Sequence, residues 1–125
     1  MALDFVTLSV NSAPDGNGTT TDTVTRSGQI LAVGLDYDPG AAAGTDVVVS
    51  CANPAGPALT IITVSDSNSD GWYYPRAGAV SPANAAIANS VIAIPFHGNL
   101  RVTVAAAGGA IAGAVKATVF YEDGR

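Results

Sequence analysis

The polar residues of this chain constrain its fold more than any single motif does. Only 12% of the residues are charged while 48% are hydrophobic, and the remaining polar positions are mostly Thr, Ser, Asn and Gly. Helix surfaces are built from Lys, Glu, Gln and Arg, yet this sequence has one Glu (Glu122) and one Lys (Lys116). Val, Thr and Gly favour strands and tight turns instead. The composition therefore predicts an all-β protein.

Hydrophobic and polar residues alternate in a series of short segments along the chain. In the first segment, Val6, Leu8 and Val10 share one face, and Thr7 and Ser9 lie on the other. Alternation also marks 31–37, 92–96, 100–104 and 115–122. Three more strands are predicted at 19–25, a Thr-rich run that suits an exposed or edge strand, at 47–51, covered on both sides, and at 59–64, apolar on both faces. Seven or eight short strands predict an antiparallel β-sandwich or β-barrel, with residues 1–125 forming a single β-domain.

The middle of the chain departs from this pattern. Residues 66–89 have no steady period and include two prolines. We expect them to form one long central loop, with a single helical turn near Ala83–Ala88. Loops of that length commonly carry function or an interface. A further turn is expected at His97-Gly98-Asn99.

The charge and the cysteine content narrow the possible partners and compartments. The formal net charge is −5 and the five basic residues are scattered, so we expect no nucleic-acid surface. Cys51 is the single cysteine, which excludes an intrachain disulfide and fits folding in a reducing cytosol. The first residues, MALDFVTLSV, lack a basic leader and a continuous apolar run, so no export signal is expected. The apolar run over 102–115 is shorter than the roughly 20 residues that cross a bilayer. We interpret it as a flexible Ala/Gly hairpin loop.

The run over 66–71 matches the first half of a calcium-binding loop. Its first, third and fifth positions, Asp66, Asn68 and Asp70, supply oxygen ligands that can converge on a cation because the glycine that follows permits a sharp turn. The twelfth position, however, is Ala77 rather than the bidentate Glu of such loops. We expect an Asx-type turn with side chains bonded to the local backbone and no metal, with a bound cation as the alternative.

Three adjacent aromatic residues and a nearby arginine form the most distinctive cluster: Trp72, Tyr73, Tyr74 and Arg76. Trp, Tyr and Arg are enriched at protein-binding hot spots, and aromatic rings also stack on sugars. Three interpretations follow. Trp72 and one Tyr cap the open end of the sandwich, or the cluster anchors a protein interface, or it binds a glycan.

No set of residues has the spacing of a catalytic centre. His97 and Cys51 offer no recognisable nucleophile–base pair. The sequence also has no nucleophile-elbow motif, no phosphate loop and no Cys/His set with zinc spacing. Asn17-Gly18-Thr19 matches a glycosylation sequon by letter, but hairpin-turn chemistry over 15–18 explains it better. We expect a protein that is not an enzyme and needs no cofactor.

Segments of the C-terminal half resemble small structural proteins of tailed bacteriophages. They are DGWYYPR at 70–76, IPFHGNLRVTVA at 94–105 and TVFYE at 118–122. Such proteins are accessory virion proteins, often capsid decoration (cement) proteins. The resemblance covers about half of the chain, from Leu59 onward. It implies a β-sandwich or β-barrel that assembles as a trimer or other oligomer on the outer shell.

The resemblance implies a structural role on the capsid exterior after synthesis in the cytoplasm of a bacterial host. The domain would bridge subunits of the major capsid protein and so stabilise the shell. The expected anchors are Trp72, Tyr73, Tyr74 and Arg76, with the loop 105–113 and the N-terminal strand as further contacts. Copies of the chain itself, as a homotrimer, are the second expected partner. Nucleic acid and membranes are not expected partners.

Two alternatives stay open. The first is a head-to-tail or tail component of the same kind of virion. The second is a carbohydrate-binding β-sandwich module, whose aromatic side chains would form a flat exposed platform. An enzyme is the least expected class, because it would require a cleft in which His97 meets Asp or Glu partners.

Overall fold

The computed structural model describes residues 2–52, 59–80 and 86–123, and every regular element within these ranges is a β-strand. The nine strands are β1 (Leu3–Val10), β2 (Gly18–Thr21), β3 (Arg26–Tyr37), β4 (Asp46–Ala52), β5 (Leu59–Val64), β6 (Gly71–Tyr73), β7 (Arg76–Val80), β8 (Ala86–Ala105) and β9 (Val115–Asp123). The predicted all-β antiparallel fold is confirmed.

The strands pair antiparallel along one connected path, in the order β1-β9-β3-β8-β4-β5. In addition, β2 and β7 pair with β8, and β6 pairs with β3. The long strand β8 joins two parts of this path. Its residues 86–93 pair with β7, 94–98 with β3, and 99–105 with β4, with β2 on the other side of the last part. We call β1, β9, β3 and β6 the first sheet, and β2, the end of β8, β4 and β5 the second sheet.

The two sheets share one hydrophobic core. In β9 the inward positions Val115, Ala117 and Val119 are completely buried, and the residues between them face outward. The second sheet supplies completely buried side chains of the same kind. They are Val47 and Val49 of β4, and Leu100, Val102 and Val104 of β8. Each such side chain contributes roughly 1.5–3 kcal/mol by leaving water. The faces turned away from this core are where a ligand or partner can bind.

The expected long central loop is wrong for 12 of its 24 residues, which lie in strands. Residues 71–73 and 76–80 form β6 and β7, and β8 begins at Ala86, while 81–85 lie outside the described residues. The helical turn expected near Ala83–Ala88 is likewise replaced by strand from Ala86 onward. Within this region β6 pairs with β3, and β7 pairs with the start of β8.

The turn expected at His97-Gly98-Asn99 is also wrong, because all three residues lie within β8. Gly98 is the last residue of β8 that pairs with β3, and Asn99 is the first that pairs with β4. The φ of Gly98 is +151°, a conformation that residues with a Cβ rarely adopt. Gly98 therefore lies where β8 crosses from the first sheet to the second, and it does not reverse the chain.

Polar side chains tie the start of β3 to β9 and β1. Arg26 Nε donates to Asp22 Oδ2 at 2.5 Å, and its Nη1 donates to the Tyr121 hydroxyl at 3.1 Å. The Tyr121 hydroxyl in turn donates to Asp4 Oδ2 at 3.0 Å. The hydrogen bond that Arg26 donates to Asp22, and to a smaller extent the one that it donates to Tyr121, raises the pKa of Arg26 above its ordinary value. Because Asp22 and Tyr121 are buried, these bonds are shielded from water and hold the first sheet in register.

Candidate functional site

Three aromatic side chains lie in a row on the outer face of the first sheet. Phe5 of β1 and Phe120 of β9 are directly opposite each other, and their ring centroids are 5.4 Å apart. Trp72 of β6 continues the row, with its ring 5.6 Å from that of Phe120. Phe5 is 57% exposed and Trp72 is 54% exposed. We call Phe5, Phe120 and Trp72 the aromatic ridge.

Small residues on β3 allow the ridge to cross that strand. In the pairing of β3 with its neighbours, Ala32 stands opposite Phe120, and Gly34 stands opposite both Thr118 and Trp72. A Cβ on Gly34 would lie 2.8 Å from a ring carbon of Trp72. The indole therefore rests on the bare backbone of Gly34, and any side chain there would displace it.

The predicted cluster at 72–76 does not form a single surface. Strand alternation turns Tyr73 inward, where it packs against the core, while Trp72 and Tyr74 face solvent. Arg76 is exposed, and its Nη1 donates to the carbonyls of Leu31 and Pro75 at 3.1 and 2.7 Å. Of the three interpretations of the cluster, core packing thus describes Tyr73. The structure leaves Trp72 and Tyr74 available to a ligand.

Phe5 and Phe120 were missed in the sequence, although a signal for them exists. Both occupy the polar face of their strands, among Thr7 and Thr118. A large aromatic residue on the solvent face of an amphipathic strand is the pattern that marks them.

A groove of about 510 Å³ runs beside Trp72 on the same outer face. Trp72 and Gly34 line it together with the side chains of Asp36, Asp70, Lys116 and Thr118. Asp70 is held in place because its Oδ1 accepts a hydrogen bond from the Tyr37 backbone N–H at 2.7 Å. Asp36 and Lys116 are cross-strand partners on β3 and β9, but within the described residues the one ion pair is that of Arg26 with Asp22. The groove thus combines an indole with polar groups of both charges.

The expected Asx-type turn over 66–70 is wrong, because the Asn68 and Asp70 side chains bond to distant backbone groups and not to the local backbone. The Asn68 amide donates to the Ala41 carbonyl at 2.9 Å, and the Asp66 N–H donates to Asp46 Oδ1 at 3.0 Å. Asp70 points to β3, as described above. Within the described residues, no three His, Cys, Asp or Glu side chains are grouped so that they could hold a metal ion.

The extension of β7 and the first part of β8 forms a second exposed apolar surface. Val91 is 66% exposed and Ile92 is 52% exposed, although they are neighbours in a strand and so point to opposite faces. The sequence has no charged residue from Ala77 to Phe96. We call residues 76–80 with 86–93 the apolar ribbon. The ribbon thus exposes a large apolar side chain on each face at 91–92, and a partner surface would cover them.

The loop between β8 and β9 is fastened to one end of the sandwich. The Ala107 N–H donates to the Gly16 carbonyl at 3.0 Å, and the Ser12 hydroxyl donates to the Gly109 carbonyl at 2.6 Å. Ala107 is completely buried, while Gly108 is exposed. The loop that was expected to be flexible is thus held by hydrogen bonds to the segment between β1 and β2.

The candidate residues for catalysis do not meet. The Cys51 thiol is buried and contacts the backbone carbonyl of His97 at 3.5 Å, while His97 itself is exposed. Burial raises the pKa of the Cys51 thiol and so disfavours the thiolate, which is the form that acts as a nucleophile. Asn17 of the sequon lies in a turn, where its N–H donates to Asp15 Oδ1 at 3.0 Å.

Comparison of the chain with protein-family models, with curated proteins and with solved structures gave no match. In the described part of the chain, no helix has the length and hydropathy that crossing a membrane requires.

Proposed function

We propose that this protein is a structural virion protein of a tailed bacteriophage, of the capsid decoration type. It acts by adhesion: the outer face of the first sheet binds the major capsid protein and bridges neighbouring subunits of the shell. Binding to the assembled shell, and not to dissociated subunits, stabilises the shell by mass action. The protein itself is a homo-oligomer, most simply a trimer, on the capsid exterior.

The aromatic ridge is the observation that carries this proposal. An exposed row of large aromatic side chains on one face of a sheet is costly in water, and it marks a surface that a partner covers. Aromatic residues are enriched in the cores of protein interfaces, where Lys and Glu are depleted. Phe5 and Trp72, each more than half exposed, are therefore the proposed anchors, with Phe120 between them. Of the residues that the sequence singled out, Trp72 belongs to this row, while Tyr73 packs against the core.

The apolar ribbon supports the same role through a second contact. It exposes Val91 and Ile92, and the sequence has no charged residue from Ala77 to Phe96. A ribbon of this kind suits packing against a neighbouring subunit, which would also cover its exposed faces. Two contacts on one small domain are what bridging requires.

A tail or head-to-tail component would use the same surfaces, and the site of attachment on the particle separates it from a decoration protein. A carbohydrate-binding module was expected to show a flat aromatic platform. The ridge is not flat, because the ring planes of Phe5 and Trp72 are tilted from that of Phe120 by 37° and 41°. The tilt favours a protein partner for the ridge as a whole.

The test is co-sedimentation with capsids assembled from the major capsid protein that the same genome encodes. Phe5→Ser should reduce binding at least tenfold, because a buried Phe contributes roughly 1.5–3 kcal/mol. Tyr74→Ser is the matched control, since Tyr74 is an equally accessible aromatic residue outside the ridge, 67% exposed. The proposed face is wrong if Tyr74→Ser abolishes binding and Phe5→Ser leaves it unchanged.

A further inference from the structure

We infer that the groove beside Trp72 is a binding site for one neutral sugar unit, a hexopyranose or its N-acetylated form. This inference goes beyond the proposed function, since it concerns a small ligand and not the shell protein. The volume of the groove, about 510 Å³, lies within the range of roughly 300–1,000 Å³ that is typical of small-molecule sites.

The composition of the groove selects the class of ligand. Asp36 and Asp70 offer carboxylate acceptors, Lys116 offers an ammonium donor, and the Thr118 hydroxyl can do both. A cationic ligand would meet Lys116, and an anionic ligand would meet two carboxylates. A ring of neutral hydroxyls can instead donate to Asp and accept from Lys at the same time, which satisfies all of these groups.

Trp72 supplies the apolar part of the site. One side of a pyranose ring carries mainly C–H groups, which pack on an aromatic ring because their hydrogens are slightly positive and the ring face is negative. The indole is 54% exposed and lines the groove next to the polar groups. Gly34 lies beneath the indole and lets it sit close to β3, since a Cβ there would lie 2.8 Å from a ring carbon. The groove thus combines an apolar wall with polar groups, as one sugar ring combines C–H surfaces with hydroxyls.

Part of the polar wall is already ordered. Asp70 is fixed by the Tyr37 N–H at 2.7 Å, which uses Oδ1 and leaves Oδ2 for a ligand. Asp36 stands on β3 and Lys116 opposite it on β9, both in the regular part of the first sheet. Asp70 is thus ordered before a ligand binds, which favours affinity for a small molecule.

The single tryptophan of the chain makes the test direct, because all indole fluorescence comes from the groove wall. The purified domain is titrated with glucose, galactose, mannose, N-acetylglucosamine and N-acetylgalactosamine. We expect at least one of them to change the Trp72 emission with saturation in the millimolar range. Asp36→Ala should weaken that sugar at least tenfold, whereas Glu122→Ala, a carboxylate on β9 outside the groove, should leave the affinity within twofold.

Asp36 is chosen for substitution because its side chain is exposed and makes no hydrogen bond within the described part of the chain, so its loss should not disturb the fold. A titration with N-acetylarginine amide runs in parallel, as a probe for a basic side chain. The inference is overturned if all five sugars give only linear changes, or if Asp36→Ala binds as tightly as wild type. It is also overturned if the arginine derivative alone saturates. None of these results bears on the ridge, since the capsid-binding test substitutes Phe5 and uses no sugar.

Discussion

Gly34→Ala is the substitution that most sharply tests the geometry of the outer face. The added Cβ would lie 2.8, 2.9 and 3.0 Å from three carbons of the Trp72 ring, whereas ordinary contacts begin near 3.4 Å. The indole must therefore retreat by about 0.6 Å or more. It can do so, because it is more than half exposed and its described ring contact is with Phe120 alone.

The cost of this change follows from what the indole loses. An aromatic pair contributes about 0.5–1.5 kcal/mol to stability. Where the backbone tolerates a Cβ, replacing Gly by Ala stabilises the fold by about 0.4–1 kcal/mol, because it lowers the conformational entropy of the unfolded chain. The free energy of unfolding should thus stay within about 1 kcal/mol of wild type. Gly28→Ala is the contrast, because Gly28 has a φ of +146° and its Cβ would lie 1.9 Å from the Glu122 backbone oxygen. It should cost roughly 3 kcal/mol or more.

Two measurements check this prediction. Urea unfolding followed by circular dichroism gives the stability, and acrylamide quenching reports how exposed Trp72 is. Gly34→Ala should unfold near the wild-type midpoint but show faster quenching and a red-shifted emission, while Gly28→Ala should unfold much earlier. If Gly34→Ala leaves the emission and the quenching unchanged, the indole does not rest on Gly34 and the described ridge and groove are wrong.

Two further substitutions and one chemical labelling experiment test the interior of the protein. Tyr121→Phe should lower the free energy of unfolding by about 1.5–3 kcal/mol, because Arg26 and Asp4 lose a shielded partner; a loss below about 0.5 kcal/mol in urea unfolding would contradict that network. Leu100→Ala, at a completely buried position of β8, should cost about 2–5 kcal/mol, and a near-neutral result would place β8 outside the core. The pKa of the buried Cys51 thiol is raised, so the native protein should resist iodoacetamide at pH 8 and react only with denaturant present. Rapid labelling of the native protein would refute the burial of Cys51. Because the thiol ionises near pH 8.5 in the unfolded chain and at higher pH in the folded protein, the free energy of unfolding should fall as the pH rises above about 8.5.

The strands of the core were predictable because their residues alternate between core and solvent. Val6, Leu8 and Val10 of β1, for example, face the core with period two, and local sequence is enough to detect this. The pattern fails in the apolar ribbon, where Val91 and Ile92 are both exposed. Exposed apolar residues on both sides of a strand do not produce the alternation on which a strand prediction depends.

The aromatic ridge could be predicted only in part. Trp72 stood out by its residue type, but the strand geometry that separates it from Tyr73 was not visible in a run interpreted as loop. Phe5 and Phe120 lie at opposite ends of the chain, and it is the register of β1 with β9 that brings them together. Pairing between distant strands depends on the whole fold, so a local pattern could not reveal it.

The most direct measurement is a cryo-electron microscopy reconstruction of capsids that have been saturated with the purified protein. The proposal predicts symmetric density on the outside of the shell, with the face that carries Phe5, Phe120 and Trp72 turned toward the capsid subunits. Bare shells at saturating protein, or bound domains with that face turned to solvent, would contradict it.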